Sequence, residues 1–180
     1  MTAAHYRHLL AALEVGCTTW RNRTFMGSMH TGLEEKPGGF ERMAAYFAER
    51  ARGGVGLMVT GGIGPNVDGC VYSVVSKLTT VEEAEKHKIV TRAVHEAGGK
   101  ICMQILHAGR YAYSPKSVAP SAIQAPINPF KPHELDEEGI EKQIQDFVTC
   151  SSLAQQAEYV GVLIMCSEGY FINQFLAAHT

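Results

Sequence analysis

Gly98-Gly-Lys-Ile-Cys-Met-Gln-Ile-Leu106, running on into His107-Ala-Gly-Arg-Tyr111, decides how the rest of the chain is read. A glycine pair closes a helix-like run, a short apolar strand follows at once, and a long loop begins where the strand ends. Upstream, Thr80-Val-Glu-Glu83 has the form of a capping box, in which a hydroxyl and a carboxylate satisfy free amides at a helix start, so a helix is predicted from there to about Ala97. Before it, Val55-Gly-Leu-Met-Val-Thr60 reads as a buried strand ending at Gly61-Gly62. A helix over Glu41–Arg52, with apolar Met43, Tyr46, Phe47 and Ala51 at helical spacing, stops at Gly53-Gly54. Thr24-Phe-Met26 is a short strand, and downstream a helix from about Asp136 to Gln156 precedes a strand over Gly161–Met165. Strand–helix alternation of this kind predicts a parallel sheet with helical crossovers.

The loops say which end of that sheet matters. All seven prolines fall between a strand and the next helix, whereas the returns from helix to strand are short. The elaborated loops therefore lie at the C-terminal ends of the strands, where α/β folds hold ligands. The connection from His107 to Leu135 carries five prolines and reads as a stiff covering loop. The expected fold class is α/β, with about four βα units over residues 1–180, no internal domain boundary, and half of an eight-stranded barrel.

Composition narrows the function. The 180 residues are 46% hydrophobic and 19% charged, with a formal net charge of -2 and scattered cations, which argues against nucleic-acid binding. No apolar run approaches the ~18 residues of a membrane span. Glu14 interrupts the Leu9–Leu13 run and no cleavage-like site follows, so no signal peptide is read. The cysteines, Cys17, Cys70, Cys102, Cys150 and Cys166, are odd in number and never at C-x-x-C spacing. That pattern gives no local zinc or iron–sulfur signal and favours the cytoplasm, with Cys102 a buried inert thiol.

Chemistry concentrates at the strand ends. Gly27 and Ser28 could admit a flat ring with Met29 and His30 flanking it, or simply form a tight turn around a buried methionine. Gly61-Gly62 carries the same two readings, and the lack of G-x-G-x-x-G opposes a Rossmann-type site. Gln104, an amide inside a strand, offers donor and acceptor to a heterocycle or to a structural network. His107 and Arg110 could meet an acidic ligand or tie down the loop. Met165-Cys-Ser-Glu-Gly-Tyr170 ends the last strand with a carboxylate and a phenol, and a phenol there can donate a proton to a ligand at a barrel mouth. A tyrosine in an apolar cluster and a glutamate at a helix start are the plainer alternatives.

Taken in order, Arg21-Asn-Arg…Met26-Gly-Ser-Met-His30, Gly61-Gly62, Gln104-Ile-Leu-His-Ala-Gly-Arg110, Ala119-Pro-Ser121 and Gly169-Tyr-Phe-Ile-Asn-Gln-Phe-Leu176 resemble the N-terminal half of the old yellow enzyme family. Within it, Met165 and Glu168 are similar to the bacterial 2,4-dienoyl-CoA reductase version. The resemblance implies an FMN bordered by Gly27, Ser28, Met29 and Gly61 and bonded by Gln104, with Tyr170 as proton donor. It further implies a small-molecule substrate of enoyl-CoA type near His30, Arg110, Met165 and Glu168. Val160 and Leu163 stand where relatives usually carry Asp and Glu, and Cys166 replaces a small residue.

The resemblance also implies four further strands with an arginine at the flavin, phosphate loops and a histidine paired with the tyrosine. Sites for FAD, a 4Fe-4S cluster and NADPH would follow. None of these lies in the 180 residues. Weak or absent FMN retention by the isolated chain is therefore expected, together with self-association through unpaired barrel edges.

Overall fold

The computed structural model describes residues 6–72 and 76–180. A small antiparallel hairpin, β1 (Leu13–Val15) and β2 (Thr18–Trp20), precedes the first barrel strand, β3 (Phe25–Met26). The hairpin has no counterpart among the expected elements: its strands are only three residues long, too short for a periodic signal. Then α1 (Gly39–Arg52), β4 (Leu57–Ile63), α2 (Val81–Glu96), β5 (Ile101–Ile105), α3 (Glu137–Gln156) and β8 (Val162–Ile164) alternate. The long loop between β5 and α3 holds a 3-10 turn, η1 (Gly109–Tyr111), and two short parallel-paired strands, β6 (Val118–Ala119) and β7 (His133–Glu134). The last element, α4 (Phe171–Gln174), is a single turn. Among the described residues no helix is long and apolar enough to cross a membrane.

The main sheet is β3-β4-β5-β8, parallel throughout and in chain order. That arrangement, with α1, α2 and α3 on one face, is half of a (β/α)8 barrel. Alternation along the strands separates its two faces. Met58, Ile101, Met103 and Ile105 turn toward the helices and join Met43, Phe47, Val90, Val94 and Leu153 in one buried core. Gly62, Gln104 and Leu163, side by side in the ladder, face the other way.

The start of α2 is capped by the residue that the sequence marks, and α3 starts with a cap at its expected boundary. The Thr80 hydroxyl accepts from the Glu83 N–H at 3.2 Å. The Glu83 carboxylate reaches back to the Thr79 N–H at 2.7 Å and also meets Lys77, so the returned bond falls one residue before the cap. Asp136 accepts from the Gly139 N–H at 2.8 Å. Gly54 and Gly98, just beyond α1 and α2, adopt left-handed backbone that a side chain would resist.

The second barrel strand differs from expectation in one informative way. It does not stop at Thr60 but continues through Gly61-Gly62 to Ile63. Thr60 and Gly61 together stand opposite Met103 alone, which is a β-bulge. The Thr60 hydroxyl fastens it, accepting from the Gln104 N–H at 3.1 Å and donating to the Gly61 carbonyl at 2.8 Å. Cys102 is half-buried rather than buried, because it sits on the barrel-interior face beside Gly161; burial still raises its thiol pKa.

Candidate active site

A cavity of about 600 Å³ opens at the C-terminal ends of the strands. Each strand sends residues to its wall: Phe25 and Ser28 with His30 from the first unit, Gly62 from β4, Gln104 and Leu106 from β5, and Leu163 and Met165 from β8. The loop after β4 adds Val71 and Tyr72, and the loop after β8 adds Glu168 and Tyr170.

The bulge sets part of this geometry. Gly61 turns under the Met29–His30 backbone, where an added Cβ would lie 2.8 Å from the His30 Cα, while Gly62 comes to the cavity surface. Gly61 therefore serves the close crossing of two backbones, and its neighbour forms the wall.

Gln104 is buried, and its amide is divided in use. Its Oε1 accepts from the Ser28 hydroxyl at 2.9 Å, whereas its Nε2 has, among the described residues, only the Met165 sulfur, at 3.8 Å. A thioether is a weak acceptor, so the amide hydrogens remain available to a stronger one in the cavity. On another part of the wall, His30 has carboxylates at both ring nitrogens: Glu34 at 3.8 Å and Glu35 at 3.5 Å. The Ser76 hydroxyl binds both of these, at 3.1 and 3.0 Å.

Tyr170 is half-buried and packs edge-on against Tyr111, with ring centroids 6.1 Å apart. Burial first, and then the Glu168 carboxylate, push its phenol above the ordinary value of 10. The group thus stays a neutral donor throughout the physiological range.

His107 lies behind this turn. Its Nδ1 accepts from the Gly109 N–H at 3.0 Å, so its Nε2 carries the hydrogen and donates to the Gln143 Oε1 at 3.1 Å. Burial lowers its pKa to about 3, and its ring lies 4.1 Å from that of Phe171. It is a neutral support for the loop, the plainer of its two readings.

The structure gathers Ser28, His30, Gln104, Met165, Glu168 and Tyr170 around one cavity. It sets Gly27, Met29, Gly61 and Arg110 off its wall: the Met29 sulfur is 3.5 Å from the Tyr46 hydroxyl, and Arg110 lies over the Tyr111 ring at 5.5 Å. Sequence reasoning passed over Phe25, Val71, Tyr72, Leu106 and, as a wall residue, Leu163. Their positions after or at strand ends were the available signal, because loops there converge on one mouth.

Comparison with known proteins agrees with this geometry. The sequence model of the NADH:flavin oxidoreductase / NADH oxidase family matches residues 8–180. The chain is 34% identical over 176 residues to a metal reductase of Desulforamulus reducens, covering 96% of this chain and 26% of that one. Among solved structures, an old yellow enzyme homologue from Zymomonas mobilis superposes with a TM-score of 0.84 at 27% identity, over 94% of this chain and 51% of its own. A 2-naphthoyl-CoA reductase solved with 2-naphthoyl-CoA gives a TM-score of 0.88 at 25% identity, over 97% and 29%. The chain thus spans between about a quarter and half of the length of these relatives. With the family model matched over nearly its whole length, and with a half-barrel whose cavity opens at the strand ends, this chain belongs to the NADH:flavin oxidoreductase / NADH oxidase family.

Proposed function

We propose that residues 1–180 form the N-terminal half of an FMN-dependent barrel of 2,4-dienoyl-CoA reductase type, which reduces a conjugated enoyl thioester with NADPH as the electron source. The observation that carries this reading is a buried amide with unspent donors, Gln104, sharing a cavity with a neutral phenol, Tyr170. The polar edge of a flavin pyrimidine ring presents both donors and acceptors, which the Gln104–Ser28 pair can match. A cavity walled by Phe25, Leu106 and Leu163 suits a flat heterocycle. The acyl thioester in the 2-naphthoyl-CoA reductase complex supports the substrate class.

Ser28 and Gln104 would hold FMN directly, with Gly62 beside them. Gly27, Met29 and Gly61 would shape the adjoining turn. FMN held there and reduced by NADPH would supply the hydride for the electron-poor carbon of the conjugated system. Tyr170 delivers the proton to the carbon nearer the thioester: its O–H bond breaks, a C–H bond forms, and solvent reprotonates the phenolate. His30, Met165 and Glu168 line the remaining space for substrate, while Arg110 stays over the Tyr111 ring.

The test is an FMN titration followed by flavin fluorescence, with turnover of a 2,4-dienoyl thioester read from the loss of its conjugated absorbance. Weak FMN binding by this chain is expected, at least tenfold weaker in Gln104→Leu. Tyr170→Phe should bind FMN like the parent and lose about 10²-fold or more in turnover. Equal FMN affinity in parent and Gln104→Leu would refute the flavin site.

A second reading concerns assembly. Val162 and Ile164 are exposed apolar residues on the edge strand β8, and Ile144 and Val148 are exposed on α3, the helix that precedes it. We propose that this face is covered in the working protein, and that isolated chains associate through it.

A further inference from the structure

We infer that Gln174 is the positioning residue for Tyr170, its side-chain amide fixing the turn that aims the phenol into the cavity; this rests on Tyr170 being the proton donor. Gln174 is 1% exposed, and its polar atoms are all engaged. Its Nε2 donates to the Gly169 carbonyl at 2.7 Å and to the Ala108 carbonyl at 3.4 Å. Its Oε1 accepts from the Arg110 N–H at 3.1 Å. Its own N–H donates to the Tyr170 carbonyl at 3.0 Å. Carbonyls on both sides of the tyrosine's Cα are thus held by one residue. The next amide, Phe171 N–H, is held by the His107 carbonyl at 3.0 Å.

The turn needs such a tether. Glu168 and Gly169 are consecutive left-handed residues, with φ of 63° and 80°, a conformation that the side chain of Glu168 resists. The Tyr170 hydroxyl makes no hydrogen bond among the described residues, so nothing at its far end fixes its direction. Backbone placement and packing against Tyr111 do so instead. On the other side of the amide, Gly109 has φ +59°, and a Cβ there would lie 2.3 Å from the Gln174 Oε1. The space that a side chain would take is occupied by the amide. A proton donor displaced by about 1 Å can lose about 10²-fold in rate, so this tether matters to chemistry without touching substrate.

Three variants separate positioning from bulk stability. Gln174→Met keeps length and apolar volume but leaves the Gly169 carbonyl and the Arg110 amide unpaired, while the Ala108 carbonyl keeps its bond from the Tyr111 N–H. Gln174→Glu, held protonated by burial, keeps one donor and one acceptor. Gln174→Asn keeps the amide but is too short to reach Gly169 and Arg110 together. In the full chain labelled with [13Cζ]tyrosine, the Tyr170 titration midpoint should fall toward 10 in the Met and Asn variants and stay at the parent value in the Glu variant. With FMN and a 2,4-dienoyl thioester, the Met variant should lose about 10- to 100-fold in kcat at unchanged KM, and the Glu variant should recover most of it. An unchanged Tyr170 titration in both Met and Asn variants overturns the inference. If Met fails to fold, the contrast between Glu and Asn decides, and equal behaviour of those two overturns it. A parent chain that reduces no conjugated thioester would count against the proposed function alone, because the Tyr170 titration still decides the positioning role.

Discussion

Two buried histidines make this protein's stability depend on mild acid. His87 lies against Tyr159, its Nδ1 2.9 Å from that hydroxyl, with Phe40 edge-on at 5.0 Å; burial lowers its pKa to about 4. Burial takes His107 to about 3. An unfolded histidine takes up its proton near 6.5, so between that value and the folded pKa values the unfolded chain binds more protons, and stability falls as pH falls. By pH 4 each histidine removes about 3 kcal/mol, a large share of the stability of a typical domain. The melting temperature should hold steady above pH 7 and drop steeply from 6.5 to 4.5, above the main range of carboxylate titration. A flat profile in that window would contradict the neutral assignment of both rings. Cys70 and Cys150, pushed up to about 11 and about 12 by burial, should meanwhile resist alkylation in the folded chain.

At the scale of elements, the helices are set by local chemistry and the site by a local irregularity. Thr80→Ala removes the bond to Glu83 N–H and should lower stability by about 1 kcal/mol, read as a shifted denaturation midpoint at constant slope. The cap at Thr80, the start of α3 near Asp136 and the glycine stops at Gly54 and Gly98 were readable in the sequence because such signals act within a few residues. The bulge in β4 was not. It exists because Thr60 bonds across to Gln104 and the His30 backbone presses on Gly61, contacts that join residues 44 and 31 positions apart. That irregularity brings Gly62 rather than Gly61 to the cavity, so the glycine pair was legible as a feature while its division of labour was not.

Across the whole molecule, the open edge is the dominant physical fact. Ile63 and Ile105 are buried under helices, but Ile164, third in the same row, is 44% exposed, and Val162 is 36% exposed. A parallel strand carrying apolar residues on both faces normally has neighbours on both sides. Purified residues 1–180 should therefore scatter light as a dimer or larger species, and Ile164→Lys should shift the population toward monomer. A monodisperse parent monomer with a sharp melting transition would exclude association through this edge.

The sequence by itself determined the alternation of strands and helices and the end of the sheet that carries the long loops, and it offered candidate residues there. Caps, glycine stops and apolar period are local and need no partner to be read. Only the tertiary structure decided which candidates share a wall. Ser28, Gln104 and Tyr170 come together because three parallel strands end at one mouth, while Met29 and Arg110 turn away to Tyr46 and Tyr111. It also showed that Gln174, legible in the sequence only as part of the Gly169–Leu176 segment and with no role of its own, ties Gly169 to Arg110 across the full length of a βα unit. Such bonds depend on how the chain returns on itself, and that return is fixed by packing rather than by neighbours in sequence.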